Sequence, residues 1–315
     1  MSSALLRRLA PLSLFAVPLL IPVLISASDA AGPARHHHKH HGHTHSAATP
    51  SATGATTTTH KATARSRPKN GFLIPAAARN VMFGTSLGRN AAQTFRLFPN
   101  ARIGRVYWQA PKAKLPALPS SYAIWLSFKT SPSLVASGRF NRQFGTLLQA
   151  WNGSGRTVYW TWQHEADRHA GFHAAQFRAG WAQLLSVERA HPSSRVKSMS
   201  ILTGFLLAPN HPHGNPASWY VNADVLGFDC YVPASVPRAM AYARSKHKPW
   251  ALPEFGADNS DAGNVQYIRS TILSWAAYPP MGASWYNNTA AAGFSVPLAR
   301  LPKTTAFLRA LAAAG

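Results

Sequence analysis

Carboxylates are scarce in this chain, and the scarcity makes each one readable. Nine Asp and Glu serve 315 residues, and Asp29 falls in a leader-like stretch, which leaves eight elsewhere. Two of those eight close apolar, aromatic-rich runs. Glu165 follows Thr157-Val-Tyr-Trp-Thr-Trp-Gln163, and Glu254 stands in Pro249-Trp-Ala-Leu-Pro-Glu-Phe-Gly256. A surface glutamate rarely follows an apolar strand so closely. Two carboxyl groups facing one cleft suit acid/base chemistry, and one can be the nucleophile while the other protonates a leaving oxygen. The plain alternative is a pair of satisfied structural acids. Asp167 and Arg168 lie just beyond Glu165, at a rim or in a supporting position. Asp229 points away from Cys230 if strand alternation holds, and either lines a cleft or pairs with an arginine.

These groups can cooperate only if a scaffold brings them together. Eight short β-rich runs recur: Val81–Leu87, Ile103–Gln109, Tyr122–Phe128, Thr157–Gln163, Lys197–Leu207, Val225–Tyr231, Trp250–Phe255 and Gly282–Tyr286. Helical periodicity intervenes at Arg139–Trp151, Ala174–Ala190, Val236–Lys246, Asn264–Ala277 and Lys303–Ala314. Strands alternating with helices imply parallel βαβ units. Eight of them over residues 70–315 predict a (β/α)8 TIM barrel, in which chemistry sits at the C-terminal ends of the strands. Glu165 and Glu254 then close the fourth and seventh strands, nearly opposite each other. A doubly wound open sheet is the rival, but no Gly-rich phosphate loop follows the first run.

Residues 1–31 read as a signal peptide, with an uncleaved membrane anchor as the alternative, which Pro18, Pro22 and the modest length disfavour. Arg7 and Arg8 precede an apolar stretch from Leu12 to Ile25, and small residues follow. Residues 32–69 carry His36–His38, His40, His41, His43 and His45, then a Ser/Thr-rich run, and predict a disordered linker. The tract could bind transition metals adventitiously, but nothing ties it to chemistry. The lone Cys230 excludes an intramolecular disulfide. With 32 Lys and Arg, the net charge of +23 reads first as a solvated basic surface and, as the alternative, as a contact for polyanions; no nucleic-acid motif accompanies it. HExxH, CxxC, P-loop and GxSxG patterns are all missing, and His169, His173, His211 and His213 make a poor metal set. Neither metal nor cofactor is expected.

The span from Val81 to Tyr286 resembles the clan A glycoside hydrolases, and within them family 26, which includes β-mannanases. The resemblance rests on Trp160-Thr-Trp-Gln-His-Glu165, Gly227-Phe-Asp-Cys-Tyr231, Pro253-Glu-Phe-Gly256 and Ser284-Trp-Tyr286. It implies that Glu165 is the acid/base and Glu254 the nucleophile. It further implies that His164 contacts substrate or orients Glu165, that Tyr231 hydrogen-bonds Glu254, and that Trp285 stacks under a sugar. Trp162 with Trp160 is expected beside Glu165, excluding water. Trp108, at a strand end, and Trp219, on a loop near Asn210 and His211, are further sugar-binding candidates, as is Asp229. The expected function is a secreted, retaining, monomeric endo-β-glycosidase acting on a polysaccharide, with mannan favoured. An anionic cell-surface polymer is a second expected partner, and specific nucleic acid is not expected. The alternative is a non-catalytic carbohydrate-binding barrel at the cell surface.

Overall fold

A computed structural model describes residues 74–86, 95–169, 171–209, 211, 215–256, 260–286 and 298–315. The expected signal peptide and linker lie outside these residues. Eight parallel strands form a closed barrel in sequence order: β1 (Met82–Ser86), β2 (Ile103–Trp108), β3 (Ala123–Phe128), β4 (Val158–Trp162), β5 (Val196–Thr203), β6 (Val225–Asp229), β7 (Trp250–Phe255) and β8 (Gly282–Trp285). Each of the eight expected runs contains one strand of the barrel. The helices are α1 (Pro132–Ala136), α2 (Asn141–Gly153), α3 (Ala174–Ala190), α4 (Pro216–Trp219), α5 (Ser235–Ser245), α6 (Asp261–Ser274) and α7 (Pro302–Ala314). The architecture is the predicted (β/α)8 barrel. Among the described residues, no helix is long and apolar enough to cross a membrane.

Two segments depart from the periodicity. The fifth run ends as a strand at Thr203, and Gly204–Leu207 turns into a 3-10 helix; Thr203 caps it by accepting a hydrogen bond from Leu206 N. Residues 109–122 connect β2 to β3 without a helix. That segment is held instead by side-chain donors. Trp151 Nε1 donates to Lys112 O at 2.8 Å, and the Arg156 guanidinium donates to the carbonyls of Leu118, Pro119 and Tyr122.

Strand alternation sorts the side chains into two layers. Outward residues pack against the helices, and Trp160, Trp162, Phe128, Leu252 and Phe255 belong there. Inward residues near the N-terminal ends, Ile103, Trp125, Met199, Ile201, Val225 and Ala251, plug the barrel. Above that plug the interior turns polar, with Arg105, Ser127, Thr161, Asp229 and Ser284 all buried. α3 approaches β4 closely at Gly180, where a Cβ would lie 2.4 Å from the Trp162 ring. Only glycine lets α3 lie flat on that indole.

Candidate active site

Glu254 owes its direction to a register shift. Leu252 pairs with Ala283 and Phe255 with Trp285, so three steps of β7 span two of β8. A bulge of this kind re-aims a side chain. Leu252 and Phe255 both keep to the outer layer, and the extra residue leaves Glu254 facing inward. Pro253, which cannot donate to a ladder, sits inside the irregularity. Two hydroxyl donors and one cation converge on the carboxylate, which is 4% exposed. Tyr107 Oη donates to Oε1 at 2.7 Å, Tyr231 Oη donates to Oε2, and Arg105 NH2 lies 3.6 Å from Oε1. Arg105 in turn lies over the Tyr107 ring, 4.4 Å from its centroid. Burial, then the charge of Glu254, raise the Tyr107 and Tyr231 phenols well above the ordinary range, so both remain donors. These contacts replace the hydration that a buried carboxylate loses.

Glu165 is presented differently. β4 stops at Trp162, and Gln163 and Glu165 both adopt left-handed backbone, with φ of 53° and 54°. Such conformations cost roughly 1 kcal/mol or more each in non-glycine residues. Hydrogen bonds hold the turn: Gln163 N to Phe128 O at 3.0 Å, Gln163 Nε2 to Thr130 O at 3.1 Å, and Glu165 N to Ile201 O at 3.0 Å. Asp167 staples the same loop to β5 by accepting from Thr203 N at 3.1 Å and from Thr203 Oγ1. It is fully buried, a supporting group rather than a rim residue. Among the described residues Glu165 Oε1 is buried without a hydrogen-bond partner, and Oε2 lies 4.0 Å from the half-exposed Arg168. Burial, and next the charge of Glu254, push the Glu165 carboxyl up from 4.5 to about 7. A carboxyl that titrates near neutrality can both give and take a proton.

His164 packs beside Tyr107, ring centroids 5.4 Å apart. Burial, then the nearby Arg105 and Lys129, lower its pKa well below the ordinary value, so the imidazole is neutral. Asp229 is wholly buried at the end of β6, and among the described residues neither carboxyl oxygen has a hydrogen-bond partner. The barrel's interior guanidinium, Arg105, turns to Glu254, so Asp229 has neither an open cleft wall nor an arginine ion pair. Burial and the two glutamates raise its pKa well above the ordinary range, favouring the neutral acid.

The structure thus brings Glu165, Glu254, Tyr231, His164 and Asp229 to one end of the barrel, but it does not bring the tryptophans. Trp162 is 0% exposed, stacked on Phe177 on the helix side of β4, and Nε1 donates to Thr130 O. Trp160 likewise stacks on Trp181. Thr161, between them, is the inward residue. Trp219 is buried in the outer layer, 5.6 Å from Phe177. Trp108 is two residues beyond Val106 on the outward face of β2 and packs against the same layer. Trp285 is 4% exposed and meets Phe255 edge-on at 5.2 Å, so no open ring face is offered to a sugar. The next residue, Tyr286, faces Tyr231, with rings 6.0 Å apart. The reason is common to all: indole is large and mostly apolar, and the barrel–helix layer takes it up.

Sequence reasoning missed Arg105 and Tyr107. A signal was available, since an arginine inside an apolar strand, with a tyrosine two residues on, marks a polar inward face. Among the described residues no group of three His, Cys, Asp or Glu could hold a metal ion.

No family model and no curated protein matches the chain. Solved structures do. A family 5 glycoside hydrolase (subfamily 18) from Bifidobacterium longum subsp. infantis aligns with TM-score 0.52 and 12% identity, over 73% of this chain and 78% of that one. A broad-specificity family 5 endoglucanase from Clostridum cellulovorans aligns with TM-score 0.50 and 10% identity, over 75% and 95%. A family 26 endo-β-1,4-mannanase from Cellulomonas fimi gives 0.48 and 12%, over 73% and 71%. At such identities the likeness is one of fold alone, the (β/α)8 barrel.

Proposed function

We propose that the protein is a secreted, retaining endo-β-glycosidase that hydrolyses a polysaccharide, with a mannan-type backbone favoured. One observation carries the reading: two glutamates at the same end of the barrel have opposite surroundings. Glu254, held by Tyr107, Tyr231 and Arg105, attacks the anomeric carbon. Glu165, titrating at about 7, protonates the leaving oxygen and then, ionised, takes a proton from the water that releases the sugar. His164 and Tyr107 form the wall beside the reacting bond. The preference for mannan rests on the family 26 resemblance of the His164-Glu165 pair.

The test is hydrolysis of mannan, xylan and mixed-linkage glucan, with the anomer of the first product read by NMR. Hydrolysis with retained configuration is expected, and Glu254→Gln should lose it by about 10⁴-fold. Turnover that survives Glu254→Gln, or an inverted first product, overturns the mechanism. Glycan binding without hydrolysis of any polymer supports the non-catalytic barrel instead.

A further inference from the structure

Charge is distributed unevenly between the two ends of the barrel. Of the described acids, Glu165, Asp167, Asp229, Glu254 and Asp261 lie at or beyond the C-terminal ends of strands. The opposite end, where the chain enters each strand, is fronted by basic residues. Arg102 precedes β2, Arg156 precedes β4, Arg195 and Lys197 flank the start of β5, and Lys246 and Lys248 precede β7. The acids at this end are already engaged. Glu188 accepts from Trp160 Nε1 at 2.9 Å, and Asp224 accepts from Ser198 N and Oγ at 2.9 and 3.0 Å.

Several of these cations are held in place without being neutralised. Arg156 donates to three carbonyls and Arg195 to Gly155 O. Lys246 Nζ lies 4.9 Å from the Tyr220 ring centroid and 5.4 Å from that of Tyr242. Pre-positioned charges lose less entropy on meeting a partner. Helix dipoles do not account for the set, because Arg102, Arg195, Lys197 and Lys248 lie outside helical last turns.

We propose that this end of the barrel is a docking face for an anionic polysaccharide, a carboxylate- or phosphate-bearing glycan, while the two glutamates face away from it. An array spread over four strand entries suits a flexible polyanion better than a duplex following a groove. A bilayer would want an apolar flank; among the described residues Phe205 and Val232 are exposed at the other end, leaving Leu273 of α6 at this one. The proposal does not depend on hydrolysis.

The experiment uses the full-length chain on immobilised polygalacturonate, with galactomannan as the neutral comparison. Duplex DNA and phosphatidylglycerol vesicles form two further arms. Salt-sensitive binding to polygalacturonate is expected. Arg102→Gln/Lys246→Gln/Lys248→Gln should weaken it about tenfold or more, since each lost cation forgoes counterion release. The charge-matched Arg139→Gln/Arg142→Gln/Lys303→Gln, exposed at the other end, should change it less than about twofold. Should the first triple fail to fold, the single changes Arg102→Gln and Lys248→Gln carry the same comparison. Equal losses from both triples reduce the effect to net charge and overturn the docking face. Tighter binding to DNA or vesicles than to polygalacturonate overturns the choice of partner.

Discussion

Glu165 and Glu254 sit at the same end of one barrel, yet the chain treats them in opposite ways. Glu254 is part of a strand, aimed by a bulge and gripped by two phenols and a guanidinium. Glu165 stands on a left-handed turn beyond its strand, with one oxygen buried and unpartnered among the described residues and an exposed arginine 4.0 Å from the other. The difference separates two jobs. A nucleophile benefits from fixed geometry and compensated charge. An acid/base benefits from surroundings in which neither protonation state is strongly favoured.

The comparison can be broken most sharply at Glu165. Glu165→Gln should lower kcat on a polysaccharide by about 10²–10⁴-fold. Aryl glycosides, whose leaving groups need no proton, should show a much smaller loss in the first step. Equal losses on both would remove Glu165 from the acid role. On the other side, Tyr231→Phe or Tyr107→Phe removes one hydrogen bond to a charged group, worth about 1.5–3 kcal/mol, and should cost kcat/KM roughly 10–100-fold. An unchanged rate would mean that the grip on Glu254 is incidental.

pH sharpens the comparison further. The Glu165 carboxyl is raised from 4.5 to about 7, so the folded chain keeps a proton that the unfolded chain has lost. The associated stability is complete below pH 4.5 and is lost as pH rises through about 7. Glu188, raised to about 7 chiefly by burial, adds to the same decline. Melting curves should therefore fall in Tm over this window, and less so in Glu165→Gln. Activity should decline on the alkaline side as Glu165 loses its proton. A profile flat to pH 9 would contradict the assignment. The smallest effect is expected at Trp219. Trp219→Phe should destabilise the fold by about 1–3 kcal/mol and leave KM unchanged, as fits a residue packed on Phe177.

How far the residues alone reached follows from the same geometry. The eight strands were legible because each is a short apolar run between polar segments. Glu165 and Glu254 were legible because charge at the end of such a run needs a reason. The faces were not. Trp160, Trp162 and Trp285 lie within a residue or two of inward polar groups, yet period-2 alternation sends their rings to the helix layer. Applied to Thr161, that alternation would have placed both tryptophans of β4 outside. Applied to β2, it would have placed Arg105 and Tyr107 inside. The bulge in β7 has no such signal, because Pro253 is compatible with many irregularities.

The most direct test is to trap the covalent intermediate. A 2-deoxy-2-fluoro glycoside with a good leaving group slows release of the sugar more than attack, and digestion with mass spectrometry then locates the modified residue. The adduct is expected on Glu254, with Glu165→Gln still labelled. An adduct on Glu165, or hydrolysis of polysaccharide with no adduct on any carboxylate, would contradict the division of roles between the two glutamates.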